Sequence, residues 1–380
     1  MKLYGYCIAL IALLFTSTGF AEVIKIFPNT VISYPRTYDG VTLDLSHGSF
    51  IIRDNATLTI KNSVINGTLS KSNPILFSVE TGQLNFDHNQ VNVKTDDLPQ
   101  HPKEQSLQYV IMLGLGSLNL NGSAFQIDSI FTAGLLVTTA TIPSSNIKIT
   151  HNKFERFHGV LYLIASDNAL VQDNTFMRNS YGQIVIIGNN DKVIHNTILF
   201  SGNYHLGNSI DVIDSNNITI SKNLLFTPTC HGIYIMSSHD VVIDSNRISG
   251  GITYAMNVLS FPERLDADDL YLTKIAANYK MKNTLSSNIK ITNNYMSQNR
   301  FGVAASDTDG LTVKNNIFIQ RFEDAEARKF WTDNSILLQN ITGLVWINNL
   351  YKEAYSQAIN GDNSHSSSFV VFPQTGGIVF

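Results

Sequence analysis

Between residues 146 and 350, apolar positions recur in short runs of period two, and each run closes on the same phrase. An aliphatic residue is followed by two variable residues, then an asparagine and usually another apolar residue. The phrase stands at 149–152, 171–174, 193–196, 220–223, 243–246, 291–294 and 313–316. Its asparagines are Asn152, Asn174, Asn196, Asn223, Asn246, Asn294 and Asn316, at spacings of 22, 22, 27, 23, 48 and 22 residues. A fixed period of this size is the mark of a solenoid. Because 48 is about two periods, one phrase is expected to be missing inside a long insertion.

Alternation of β-branched or apolar residues with polar ones, punctuated by Asn, Gly and Ser, predicts strands rather than helices. A coil of about 22 residues buries its apolar side chains only by stacking on the next coil, which predicts parallel sheets around one elongated core. Stacked strands lie roughly 4.8 Å apart, so equivalent positions form rows along the solenoid. An inward asparagine at a turn can then bond backbone groups and its neighbours above and below, satisfying polar atoms that are costly to bury alone. With these features the chain, over about residues 40–355, resembles the right-handed parallel β-helix family. The resemblance implies an all-β, right-handed parallel β-helix with short helical insertions. The family includes pectate lyases, polygalacturonases, alginate lyases, mannuronan C5-epimerases, periplasmic accessory proteins and phage tailspikes, so it fixes architecture rather than activity.

Residues 1–21 read as a secretion signal: Lys2, an apolar stretch near 6–15, then small residues up to Ala21. An uncleaved anchor is the alternative, though the stretch is short for a membrane span. Residues 22–380 form one domain in this reading, with 22–60 as an N-terminal cap and 356–380 as a C-terminal tail, and the protein is expected to be periplasmic or secreted. Loss of Cys7 with the signal leaves Cys230 as the one cysteine, so no intrachain disulfide is expected. The formal net charge of -4, without a run of lysine and arginine, excludes the electrostatic footprint of a nucleic-acid binder. Short charged helices are expected over 266–280 and 322–331, and the stretch 96–104 reads as a loop leaving the wall. The insertions 261–285 and 320–333 are candidate walls of a groove.

Counting back from each phrase gives two apolar columns: Leu161, Ile210, Ile233, Met256 and Val303, then Leu163, Val212, Ile235, Val258 and Ala305. The column between them points outward, since side chains alternate along a strand. It holds Tyr162, then Ile184 or Val185, then Asp211, Tyr234, Asn257 and Ala304. Aromatic, acid, aromatic and amide in line suit a sugar chain. His231 and His205 lie at the mouth of this strip. Asp211, His231, Tyr234 and His205 are therefore the candidate catalytic group, with Tyr162 and Asn257 binding substrate and Arg178 or Arg247 neutralising a carboxylate. The plain alternative is a solvated aspartate beside hydrogen-bonding turn histidines.

The segment 208–212 resembles the Asn-Thr-Asp-Gly phrase of polygalacturonases, but Thr229-Cys230-His231-Gly232 stands where that family has paired aspartates. The coils at 231–233 and 238–248 resemble those of mannuronan C5-epimerases without the Asp-Pro-His-Asp tetrad of one branch. The scattered histidines support no metal site, and no cofactor is expected. The expected function is a monomeric, exported, polysaccharide-active protein, a lyase or C5-epimerase on a uronic-acid polymer; the alternative is a non-catalytic carbohydrate-binding or accessory module.

Overall fold

The computed structural model describes residues 22–96, 108–128, 133–138, 144–180, 182–199, 207–226, 230–251, 253–260, 281–299, 301–319 and 336–352. Every described strand pairing is parallel, and the strands fall into three rows. One row runs from Val23–Lys25 to Leu350–Lys352 as a 13-stranded sheet. The other two start at Thr30–Ile32 and Arg36–Asp39 and together make a 24-stranded sheet. Because each coil contributes one strand to each row, the apolar side chains of all three converge on a single interior. The two columns expected to face inward are buried, Ile210, Ile233, Val212 and Ile235 each at 0 % exposure. In the N-terminal half the interior also carries a run of rings, Phe50, Phe77, Phe86, Phe125, Phe154 and Phe176, at centroid separations of 5.0–5.8 Å. Expected helices at 266–280 and 322–331 and the expected loop 96–104, apart from Asp96, lie outside the described residues, as do His205, the signal 1–21 and the tail 356–380.

The phrase asparagines form one continuous internal row. From Asn174 to Asn316, each carboxamide oxygen accepts both the backbone N–H and the Nδ2–H of the asparagine one coil earlier, as Asn223 does for Asn196 at 2.8 and 3.1 Å. Each Nδ2 also donates to a carbonyl, for Asn223 that of Val193 at 2.9 Å. Every residue immediately before these asparagines, from His151 to Asn348, has φ between 52° and 58°. That left-handed turn is unfavourable for a residue with a Cβ, and the bonds of the row offset it. The row extends further than the phrase, through Ser123, Asn89 and Ser63 at one end and Asn349 at the other.

One expectation is corrected here. Asn246 bonds Asn294 directly at 3.0 Å, and Ile243 pairs with Ile291, so the 48-residue spacing is one coil with an insertion, and no phrase is missing.

A second row, of hydroxyls, runs along another corner. The backbone N–H of Gly188 donates to Ser215 Oγ, Ser215 N–H to Ser238 Oγ, and Ser238 N–H to Ser286 Oγ, at 3.0–3.3 Å. On the rung before Ser215 the row has Gly188, which has no hydroxyl, paired with Ser166. The gap is filled from inside the coil by Asp191, whose carboxylate accepts from Ser166 Oγ at 2.5 Å and from Ala169 N–H at 2.7 Å. Any side chain on Gly188 would collide with that carboxylate. Asp191 is fully buried, in line with Ala169, Ile218, Val241 and Ile289. Burial pushes its carboxyl up to about 6, against the opposing bonds from Ser166 and Ala169.

Candidate functional site

The outward column has the expected register, one residue per rung: Tyr162 pairs with Val185, Val185 with Asp211, Asp211 with Tyr234, Tyr234 with Asn257, and Asn257 with Ala304. The ambiguous second coil places Val185 outward. The expected exposure does not hold along the whole column. Tyr162 is 0 % and Asp211 5 % exposed, while Tyr234 and Asn257 are half-buried. Tyr162 is thus corrected from a sugar-binding ring to part of a packed cluster with Val137, Ile164, Val185, Ile187, Ile213 and Met236. The cause is the next outward column, Ile164, Ile187, Ile213 and Met236, whose apolar side chains require cover. Met281 packs against this cluster, and the N–H groups of Lys282 and Asn283 donate to the Asp214 carboxylate, each at 2.7 Å. The described end of the first insertion therefore lies across this face. The sequence does carry a signal for it: strands such as 161–164 and 184–187 are apolar at every position, the pattern of strands covered on both sides.

Beyond the covered part, side chains from two positions per coil meet. The residues three before Asp211, Tyr234 and Asn257 on their own rungs are Asn208, His231 and Tyr254. Asn208 Nδ2 donates to Asp211 Oδ1 at 2.6 Å, and Asn208 Oδ1 accepts the backbone N–H of His231 at 3.0 Å. This amide ties the carboxylate to the next rung. Gly182 makes room for it, since a Cβ there would lie 3.1 Å from Asp211 Oδ2. The His231 ring stacks on Tyr234 with centroids 5.4 Å apart and planes 10° apart, and meets Tyr254 at 5.2 Å and 36°. Thr253 Oγ1 is 3.0 Å from His231 Nδ1 and donates to the Cys230 carbonyl at 2.5 Å. Asn208, Thr253 and Tyr254 are site residues that sequence reasoning missed, because only the closing of the coils brings them beside Asp211 and His231.

Burial pushes the His231 imidazole down to about 4, so it is neutral at ordinary pH. Burial pushes the Cys230 thiol up, the Thr253 hydrogen bond opposing this and the Asp211 charge adding to it, so no Cys-His thiolate pair forms. The other candidates do not join the group. Arg178 follows the strand Thr175–Met177 and Arg247 opens Arg247–Ser249, both on the 13-stranded sheet, away from Asp211. Arg178 lies 3.8 Å from Glu155, and Arg247 sits over the Tyr295 ring at 5.1 Å. His205 lies outside the described residues. Among the described residues, no group of three or more His, Cys, Asp and Glu is placed to hold a metal ion, and no helix is long and apolar enough to cross a membrane.

No curated protein matches the sequence. Among solved structures the chain is similar to an alginate lyase, at 13 % identity over 97 % of this chain and 89 % of that one, with a TM-score of 0.45. It is also similar to a surface adhesin of Streptococcus pneumoniae, at 11 % identity over 83 % of each chain and a TM-score of 0.45. The A-module of a mannuronan C-5 epimerase from Azotobacter vinelandii is 12 % identical over 86 % of this chain and 91 % of that one, with a TM-score of 0.32. Residues 116–260 match the family model described as the right handed beta helix region. With parallel strands coiled in register on both sides of that span, the chain is a right-handed parallel β-helix.

Proposed function

We propose that this is an exported protein whose face around Tyr234, His231, Tyr254 and Asp211 binds a polysaccharide chain. The observation that carries the reading is the run of three rings over two adjacent rungs, with a carboxylate on the rung beside them. Half-buried tyrosines offer an apolar face to the C–H side of a sugar ring, and the half-buried Asn208 and Asn257 are partners for hydroxyls, with Asp211 holding Asn208 from behind. Tyr234→Ala and Tyr254→Ala are each expected to weaken binding by about 1 kcal/mol, roughly fivefold in Kd, through lost ring contact. Calorimetric titration against a panel of neutral and uronic-acid polysaccharides measures this. Full affinity in both variants would remove the face from the reading.

A second reading, catalysis, is favoured by the neutral imidazole of His231 stacked on Tyr234. A neutral histidine accepts a proton and a tyrosine returns one, the two steps of a lyase or C5-epimerase acting next to a uronate carboxylate. Arg178 and Arg247 stand on the other sheet and supply no cation to that step, so binding is the reading preferred. If the protein is an enzyme, Tyr234→Phe is expected to lower turnover about a hundredfold with little change in binding. Absorbance of unsaturated products and proton NMR of the polymer detect either reaction; a wild-type protein that binds a uronan and changes it in neither assay retires the catalytic reading.

A further inference from the structure

The hydrogen bonds behind His231 decide which of its ring nitrogens carries the proton. Thr253 lies one rung beyond Cys230, and its hydroxyl oxygen contacts two groups: the Cys230 carbonyl oxygen at 2.5 Å and His231 Nδ1 at 3.0 Å. A hydroxyl has one proton and two lone pairs, and a carbonyl oxygen can only accept. The single Thr253 proton is therefore committed to Cys230. Toward His231 the same oxygen can only accept, so Nδ1 must be the donor. The Cys230 sulfur, 3.9 Å from Oγ1, is a weak partner and leaves this order unchanged.

We infer that Thr253 is a positioning residue that holds His231 in the tautomer protonated on Nδ1, which leaves the lone pair on Nε2. The chain of donors runs from His231 Nδ1–H to Thr253 Oγ1–H to the Cys230 carbonyl. Stacking on Tyr234 and the tilted contact with Tyr254 restrict the ring plane, and the bond to Thr253 sets which edge faces the backbone. Neutrality of the imidazole at ordinary pH agrees with a single ring proton. Under the polysaccharide reading, on which this consequence rests, the site meets its ligand with an acceptor nitrogen. Nε2 takes a hydrogen bond from a sugar hydroxyl in a binding module, or the proton itself in an enzyme.

The tautomer is testable without any ligand. In the full-length protein labelled with 15N, long-range proton–nitrogen correlation spectra are expected to show a protonated Nδ1 and an unprotonated Nε2 for His231. Thr253→Val keeps the shape and removes the hydroxyl, and should move the ring toward the Nε2-protonated form, whereas Thr253→Ser should restore the wild-type signals. A wild-type ring protonated on Nε2 overturns the assignment whatever the variants do, and so does a Thr253→Val spectrum identical to wild type. With a polysaccharide that the wild type binds, Thr253→Val is expected to lose about tenfold in affinity and Thr253→Ser to keep it. A switched tautomer with unchanged affinity overturns the role given to Nε2. Absence of binding to every polysaccharide tried instead retires the proposed function, while the nitrogen signals still decide the tautomer.

Discussion

Asn223→Ala is expected to lower the unfolding free energy by about 3 kcal/mol, because the alanine leaves a buried backbone N–H unpaired and removes one bond from each of several other buried groups at once. Asn223 Oδ1 is the acceptor for both the backbone N–H and Nδ2 of Asn196, and its own Nδ2 is the donor to the Val193 carbonyl and to Asn246 Oδ1. The Asn196 N–H would be orphaned outright, at about 1–3 kcal/mol, while the Val193 carbonyl and the Asn196 and Asn246 side chains would each lose one of their bonds. Asn223→Ser should recover part of the loss, since Ser123 already occupies this row and its hydroxyl accepts the Asn89 N–H at 3.0 Å. Asn190→Ala is the control. Its side chain bridges Asp167 and Asn217 on a half-buried edge and should cost only about 1 kcal/mol. Equal losses for Asn223→Ala and Asn190→Ala in denaturant titrations would mean that the row is ornamental.

The second large effect is a gain. Asp191 has its folded-state carboxyl raised to about 6 from an ordinary 3.8, so the folded state holds the proton more tightly than the unfolded chain does. Its favourable contribution is present below about pH 4 and lost as pH rises through about 6, a swing of about 3 kcal/mol. Asn in place of Asp removes the charge and keeps the shape. Its oxygen can accept the Ala169 N–H while its amide donates to Ser166 Oγ, whose own proton turns to the Leu163 carbonyl at 3.3 Å. Asp191→Asn is therefore expected to stabilise the protein at pH 8 by up to about 3 kcal/mol and to be nearly neutral near pH 4. The difference between variant and wild type, taken from denaturant midpoints across that range, isolates this residue from other carboxylates. A difference that does not change with pH would show that Asp191 is not the titrating group.

The repeat makes the rows legible in the sequence: period, strand type, inward asparagines and the register of Tyr162, Asp211, Tyr234 and Asn257 follow from alternation within one coil. Exposure follows only in part: strands apolar at every position signal a second cover, but the segment that supplies it crosses the face from elsewhere. Asp211 and Tyr162 point away from the core as alternation requires, yet they are covered beside a face where Met281, more than 40 residues along the chain, packs against the cluster that includes Ile213 and Met236. The roles of Asn208 and Thr253 were equally hidden, since each acts on a residue one coil away. Arg178 and Arg247 show the opposite error. Charge type suggested them, but their position in the coil puts them on another sheet.

The asparagine row joins successive rungs by the same pair of bonds whether 22, 27, 33 or 48 residues separate them. The wall is thus a ruler indifferent to contour length. Extra chain between rungs meets only the slowly growing entropy of loop closure, not a shift of register. Excursions such as the one between Leu259 and Ser286 can consequently be lengthened, shortened or exchanged as cassettes while the tyrosine and histidine rings stay where the rungs hold them. In such an architecture new specificity accrues by splicing at the rim, and the frame that positions the chemistry is inherited unchanged.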